Sequence, residues 1–270
     1  MTLHDDELAF WPQYTAVIIL DMGELKLGHH PPDAEEPWWG EYLSQYKQTL
    51  RHVRGARVLD IGCGQGYGSR FLFDNGAVEV VGVDFNSADI LKAQEHHGRE
   101  GVAFVVEDAK KLSFADGSFD VITCFQLFES TVSTDQVLAQ IARLLNPQGI
   151  AIISTVNRKR FSQLTEAPAE PNHMQEFDHS ELKRLLKIHF NTFDLQGLFC
   201  TRLSGTNLLS TESTALEFLR QQFESRVPWG LKNSLTRKIF GVSYYPDENE
   251  YVLRSMGVDE APLFFATCRK

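Results

Sequence analysis

The sequence predicts an α/β fold: a doubly wound, mostly parallel sheet of seven strands. Three observations carry this expectation. Residues 57–72 read as a buried strand, a glycine loop and the start of a helix. Short apolar runs then recur at 78–83, 102–106, 119–124 and 150–156, with helical stretches between them, giving five strand–helix units. The second and third of these runs are each followed at once by acidic residues, Asp84 and then Glu107-Asp108.

In the first unit Val58, Leu59 and Ile61 form the short apolar run of a strand covered on both faces, with Asp60 near its carboxyl end. Glycines at 62, 64, 66 and 68 let the chain turn sharply and let a ligand approach without meeting a Cβ. A loop of this kind, opening a helix, is where open α/β sheets bind nucleotides. The dinucleotide fingerprint needs a third glycine or alanine where this chain has Tyr67 or Ser69. Asp60, just before the loop, sits poorly beside a pyrophosphate and well beside an ammonium or sulfonium group. The expected ligand is therefore a cationic nucleoside without phosphate.

The run Asp60-Ile61-Gly62-Cys63-Gly64-Gln65-Gly66 resembles the first motif of class I S-adenosylmethionine-dependent methyltransferases, in the group acting on small molecules. The resemblance implies a Rossmann-like fold whose last strand is antiparallel, with S-adenosyl-L-methionine as cofactor. It implies that Asp60, Gly62, Cys63, Gly64 and Gly66 hold the methionine part of that cofactor. A nicotinamide-dependent oxidoreductase is the second enzyme reading, disfavoured by the broken fingerprint and by Asp60.

Composition sets bounds. The chain has 270 residues, 43% hydrophobic and 23% charged, as expected of a globular protein with an ample core. A formal charge of −10 argues against nucleic acid as a partner and leaves a small-molecule substrate. Cys63, Cys124, Cys200 and Cys268 form no close pair and read as buried free thiols in a reducing compartment, so no metal is expected. The N-terminus shows no targeting pattern and Val17–Leu20 is too short an apolar run to span a bilayer, so the expected location is the cytoplasm, with no integral membrane contact.

Along the chain, residues 1–54 are expected to form an arm and a helix covering the site. Trp39, Tyr42, Leu43, Tyr46 and Leu50 recur at helical spacing, and Tyr42 and Tyr46 are candidates for the substrate pocket. Asp84 closes the second strand, where a carboxylate accepts ribose hydroxyls; Phe85 is expected to pack on the adenine. Asn86 caps the next helix. In the family pattern Asp108 accepts the adenine amino group and the backbone of Ala109 reaches the ring. The stretch from Phe114 to Cys124 resembles the family's fourth-strand segment, which places Phe125 and Gln126 near the reacting methyl. Glu129 follows without the histidine many relatives carry beside it, and is expected to be structural or a polar pocket residue.

A helix through Val137 and Leu145 is expected to end in a turn at Asn146-Pro147-Gln148-Gly149. The best catalytic candidate is His173, an imidazole able to take a proton near neutrality, with Glu176 to orient it. Their segment resembles a recurrent one in small-molecule methyltransferases, with Pro171 before Asn172 instead of after it. A helix at 180–188, a sixth strand at 190–199 and a last strand at 262–268 complete a core of 55–200 and 262–270. Residues 201–261 are too many for a simple loop and are expected to form a helical cap. The sequence leaves a homodimer open. The expected function is methyl transfer to a small molecule at oxygen; the alternatives are N- or C-methylation, or a binding module without turnover.

Overall fold

The computed structural model describes residues 39–161, 173–201, 231, 238 and 246–270. Helix α1 (Trp39–Val53) leads into β1 (Arg57–Ile61), α2 (Tyr67–Asp74), β2 (Glu79–Asp84), α3 (Ser87–His97) and β3 (Val102–Val106). After these come β4 (Phe119–Phe125), a 3-10 turn (Phe128–Ser130), α4 (Thr134–Leu144), β5 (Leu145–Val156) and the short α5 (Arg158–Phe161). The chain continues with α6 (His179–His189), β6 (Thr192–Cys200), β7 (Tyr251–Arg254) and β8 (Leu263–Arg269).

Among the described residues one sheet holds all the strands, in the order β3-β2-β1-β4-β5-β8-β6-β7. The five strands from β3 to β5 are parallel. β8 runs antiparallel to both β5 and β6, as the resemblance implied. From β1 the chain steps outward through β2 and β3 and then returns to β4 on the other side. That reversal opens a crevice between the carboxyl ends of β1 and β4, the ligand position of open α/β sheets.

Alternation along the strands sends side chains to two cores. On one face Leu59, Ile61, Ile122 and Cys124 pack with Val137, Leu138 and Ile141 of α4 and Leu182 and Leu186 of α6. On the other, Val58, Val80, Val121 and Ile152 pack with Tyr46 and Val53 of α1 and Leu72 of α2. Each large apolar side chain taken out of water here contributes about 1.5–3 kcal/mol, so these faces dominate the stability of the fold. The four cysteines are buried free thiols.

Two elements differ from expectation. The sheet has eight strands instead of seven, because Tyr251–Arg254, expected inside the cap, pairs with Gly197–Cys200 of β6. The turn expected at 146–149 is a wide bulge within β5: Leu145 pairs with Phe119, and the next pair is Ile150 with Val121. Pro147 has no N–H to give a ladder, and the bulge removes it from one. Asn86 caps α3, accepting from the Ala88 N–H, and Asp178 caps α6 in a capping box with Glu181. Of the expected helical cap only residues 201, 231, 238 and 246–261 are described, and of the expected N-terminal arm only residues 39–54; the rest of both lies outside the described residues.

Candidate active site

The loop between β1 and α2 forms one wall of the crevice. Gly62, Gly64 and Gly66 have φ of 76°, 51° and 84°, in the left-handed region. Gly66 is also a close approach, since a Cβ there would lie 2.5 Å from the Phe104 ring. Gly68 has a different task from the other three. It sits at the start of α2 directly beneath the Tyr46 ring, which a Cβ would overlap. Sequence reasoning grouped Gly68 with the loop glycines while naming only Gly62, Gly64 and Gly66 for the cofactor; Gly68 lets α1 and α2 pack.

Asp60 is only 1% exposed and lies under this loop. Its carboxylate accepts from the Ser69 hydroxyl at 2.7 Å, the Thr123 hydroxyl at 2.7 Å and the Tyr46 phenol at 3.2 Å. Burial raises its pKa above the usual carboxylate range, and the three hydroxyls oppose that rise. Tyr46, a candidate for the substrate pocket, is 5% exposed with its hydroxyl on Asp60. Its ring meets Phe125 edge-on at 4.9 Å and Tyr67 at 5.7 Å. Tyr42 is half-buried on the first turns of α1.

Cys63 turns its thiol into a small core with Ile90, Ala93 and Phe104. Its backbone is used within the loop as well: its N–H donates to Val83 and its carbonyl accepts from Gly66. Burial pushes the thiol pKa well up, so it is an unreactive packing group.

At the end of β2 the Asp84 carboxylate accepts from the Gly64 N–H at 3.0 Å and the Asn86 N–H at 2.9 Å. A carboxylate has about four lone-pair positions, so it retains capacity for two hydroxyl donors. Phe85, next to it, is 74% exposed, an aromatic face in water at the sheet's carboxyl edge. One strand further out, Asp108 is exposed and turns the chain: one oxygen accepts from the Lys110 N–H at 3.0 Å and the other pairs with its ammonium at 3.3 Å. Ala109 is half-buried beside it.

At the end of β4, Phe125 and Gln126 reach the crevice. Gln126 has φ of 48° and is the only non-glycine at positive φ among the described residues. A residue held this way carries about 1–3 kcal/mol of strain, and such residues cluster at functional sites. Its side-chain amide donates to Glu41 at 3.3 Å, from the first turn of α1. Sequence reasoning missed Glu41. The available signal was Glu41 and Gln45, a polar pair one helical turn apart beside the aromatic stripe. Gln45 accepts from the Ser154 hydroxyl, so α1 is laid across the ends of both β4 and β5.

Beyond β4, Glu129 is buried in the 3-10 turn. One carboxylate oxygen accepts from the Thr155 hydroxyl at 2.8 Å and the Val156 N–H at 2.6 Å. The other is sealed from solvent and has no hydrogen-bond donor among the described residues. Burial raises its pKa, against the backbone and hydroxyl donors and the nearby His173. The Glu129 carbonyl accepts the N–H of Met174 at 2.6 Å, which ties the histidine segment to this turn. His173 Nδ1 stands 2.8 Å from Glu176, which is 5% exposed. The expected pair is therefore formed, on the same edge of the sheet as Gln126 and next to Glu129. Among the described residues no group of three or more His, Cys, Asp or Glu is placed to hold a metal ion, and no helix is long and apolar enough to cross a membrane.

Together these features define an α/β domain whose glycine loop and strand-end acids gather at the switch point between β1 and β4. Residues 52–203 match the family described as "Methyltransferase domain", and the chain belongs to that family. It is 32% identical over 171 residues to a probable S-adenosylmethionine-dependent methyltransferase of Mycolicibacterium smegmatis, covering 63% of this chain and 65% of that protein. It is 37% identical over 113 residues to a ubiquinone biosynthesis O-methyltransferase of Azorhizobium caulinodans, covering 41% of this chain and 44% of the relative. The chain thus spans between about two fifths and two thirds of the length of these relatives. An S-adenosylmethionine-dependent methyltransferase from Mesorhizobium loti has the same fold, with a TM-score of 0.55 at 17% identity over 89% of this chain and all of that one.

Proposed function

We propose that the chain binds S-adenosylmethionine in the crevice and transfers its methyl group to an oxygen of a small-molecule acceptor. The observation that carries this reading is Asp84, held by the N–H groups of Gly64 and Asn86 beside the exposed ring of Phe85. A fixed carboxylate and a free aromatic face are the partners a ribose and an adenine require. Methyltransferase domains in the relatives point the same way.

The residues fit the cofactor as follows. Asp84 would accept the ribose hydroxyls, Phe85 would cover the adenine, and Asp108 and Ala109 would meet its edge. The loop from Gly62 to Gly66, with Phe125 and Gln126 opposite, would hold the amino-acid end. When bound, the cofactor supplies a methyl group already activated on a sulfonium, so the chain's work is alignment and exclusion of water. Alignment on this scale contributes several kcal/mol. In this reading His173 takes the acceptor's hydroxyl proton, and Glu176, engaging Nδ1, orients the ring. An O-methyltransferase among the relatives supports oxygen as the acceptor atom.

A second reading also has an observation behind it. The backbone bonds from Met174 and Gln175 to Glu129 and the amide bond from Gln175 to the Phe128 carbonyl make the histidine segment a well-fastened loop. In that reading His173 is structural, and the acceptor is an amine or carbon nucleophile needing no base. The deciding experiment supplies methyl-labelled cofactor with panels of phenols, alcohols and amines and follows label by mass spectrometry. Labelled methyl ethers, lost in His173→Ala below the pKa of the phenol, support the first reading. Labelled amines with unchanged His173→Ala turnover support the second, and absence of cofactor binding removes both.

A further inference from the structure

Asp60 was the acid expected at the cationic end of the cofactor, yet three hydroxyls surround it and 1% of it is exposed. A second, half-buried carboxylate stands against the end of β4. Glu41 projects from the first turn of α1 toward Gln126, the strained residue at the end of β4. The same turn overhangs the glycine loop, since Trp39 packs on Tyr67 at 4.7 Å. Leu127 completes the contact on the far side, 3.3 Å from where a Cβ of Gly62 would lie.

We propose that Glu41 is the counter-charge for the positively charged amino-acid end of the methyl donor. This rests on the donor-binding reading above. Among the described residues Gln126 is the only hydrogen-bond donor to the Glu41 carboxylate, a neutral one on a single oxygen, and no cation forms an ion pair with it. The charges on elements packed against α1 have partners of their own. Lys47, on the same helix, pairs with Glu248 at 3.6 Å, Arg70 of α2 with Asp74 at 2.7 Å, and Arg254 of β7 lies over the Phe199 ring at 5.1 Å. Glu250 in the turn after Asp247, and Asp60, Cys63 and Tyr67 behind Tyr46, are acidic or neutral groups and offer Glu41 no positive charge. A half-buried carboxylate with no counter-ion among the described residues, beside a cleft read as taking a cationic ligand, is completed by that ligand.

Burial brings the Glu41 pKa up to about 7, with the Gln126 amide opposing. An arriving ammonium or sulfonium favours the ionised form, so binding below that pH releases one proton to solvent. Donor affinity then rises with pH until Glu41 is ionised in the free protein. It falls again above about pH 8, where an α-amino group loses its own proton.

The test is calorimetric titration of the full chain with S-adenosylmethionine between pH 5.5 and 7.5, for the wild type, Glu41→Gln and Glu41→Asp. 5′-Methylthioadenosine, a nucleoside without the cationic end, is the control. The expected result is a wild-type affinity that tightens by up to about tenfold per pH unit below 7. Glu41→Gln binds about tenfold more weakly at pH 7.5 with no acid limb, an effect of the size expected for losing a charged hydrogen-bond partner. Glu41→Asp keeps the limb, and the neutral nucleoside binds all three alike. If Glu41→Gln keeps wild-type affinity and slope, Glu41 is not the counter-charge although the donor site stands. If it weakens the neutral nucleoside equally, its effect is structural and the proposal falls. If the wild type binds neither compound, the donor-binding reading fails and this inference with it.

Discussion

The phenol of Tyr46, on α1, donates to the buried carboxylate of Asp60 at the end of β1, 3.2 and 3.3 Å from its two oxygens. Ser69 of α2 and Thr123 of β4 reach the same group. Asp60 therefore joins four elements, the consecutive α1, β1 and α2 and the distant β4. The joint lies directly beneath the loop that forms one wall of the crevice, so it sets where that loop stands relative to β4. A buried carboxylate with only neutral donors depends on each of them, because burial disfavours its charge and the hydroxyls restore part of the loss.

Tyr46→Phe keeps the ring and removes one donor. The Asp60 pKa, already raised in the folded protein, rises further, and a raised carboxylate gives stability that is present at low pH and lost as pH climbs through the folded pKa. The variant is expected to be less stable by about 1–3 kcal/mol at pH 8 and closer to wild type at pH 4. Thermal unfolding midpoints at the two pH values measure this; an equal loss at both would assign the effect to packing instead.

Asp84→Ala removes the acceptor for the Gly64 and Asn86 N–H groups and, under the proposed function, for a ribose. Hydrogen bonds to a charged group are worth about 1.5–3 kcal/mol, or roughly 10- to 150-fold in affinity. Cofactor binding is expected to weaken by that factor. The half-exposed position limits the loss of stability to about 1 kcal/mol, since water replaces the lost acceptor. Calorimetric titration and thermal unfolding on the same sample separate the two, and unchanged affinity would remove Asp84 from the site.

Gly68→Ala sets two effects against each other. Alanine is the better helix former by about 1 kcal/mol, but its Cβ overlaps the Tyr46 ring. The ring cannot step aside without breaking its bond to Asp60, so overpacking of about 1–3 kcal/mol wins. The variant should unfold at a lower temperature and at lower denaturant concentration. A midpoint at or above wild type would show that α1 moves freely over α2.

The strands were legible because a short continuous apolar run bounded by turn residues is a local property. Val58–Ile61, Val80–Val83 and Ile150–Val156 are where the sequence places strands. The acids at the ends of β2 and β3 were legible for the same reason. The joint at Asp60 was not, since Tyr46, Ser69 and Thr123 lie as far as 63 residues from it along the chain and nothing local marks a hydroxyl as its partner. β7 escaped because four residues between acidic turns carry too little pattern, and pairing with β6 decides their state. Glu41 escaped because an acid on the inner face of an aromatic helix reads as a solvated edge until β4 is placed beneath it.

Glu41→Gln tests whether the crevice carries a folding penalty in the absence of ligand. The folded pKa, about 7, stands above the usual value of 4.5, so between those pH values the folded chain holds a proton the unfolded chain has lost. Stability falls as pH rises through that window, and above about 7 the whole penalty is present. Glutamine carries no charge and keeps an acceptor for Gln126. The variant should match wild type below pH 4.5, gain on it between 4.5 and 7, and stay ahead above, each kcal/mol appearing as roughly 2–4 °C in the midpoint. Saturating S-adenosylmethionine should narrow or reverse the difference at pH 8, because a bound cation compensates the carboxylate in wild type alone. Thermal scans at pH 4, 6 and 8, with and without the cofactor, give the comparison; a variant less stable than wild type at pH 8 without ligand would show that Glu41 has a stabilising partner in the free protein.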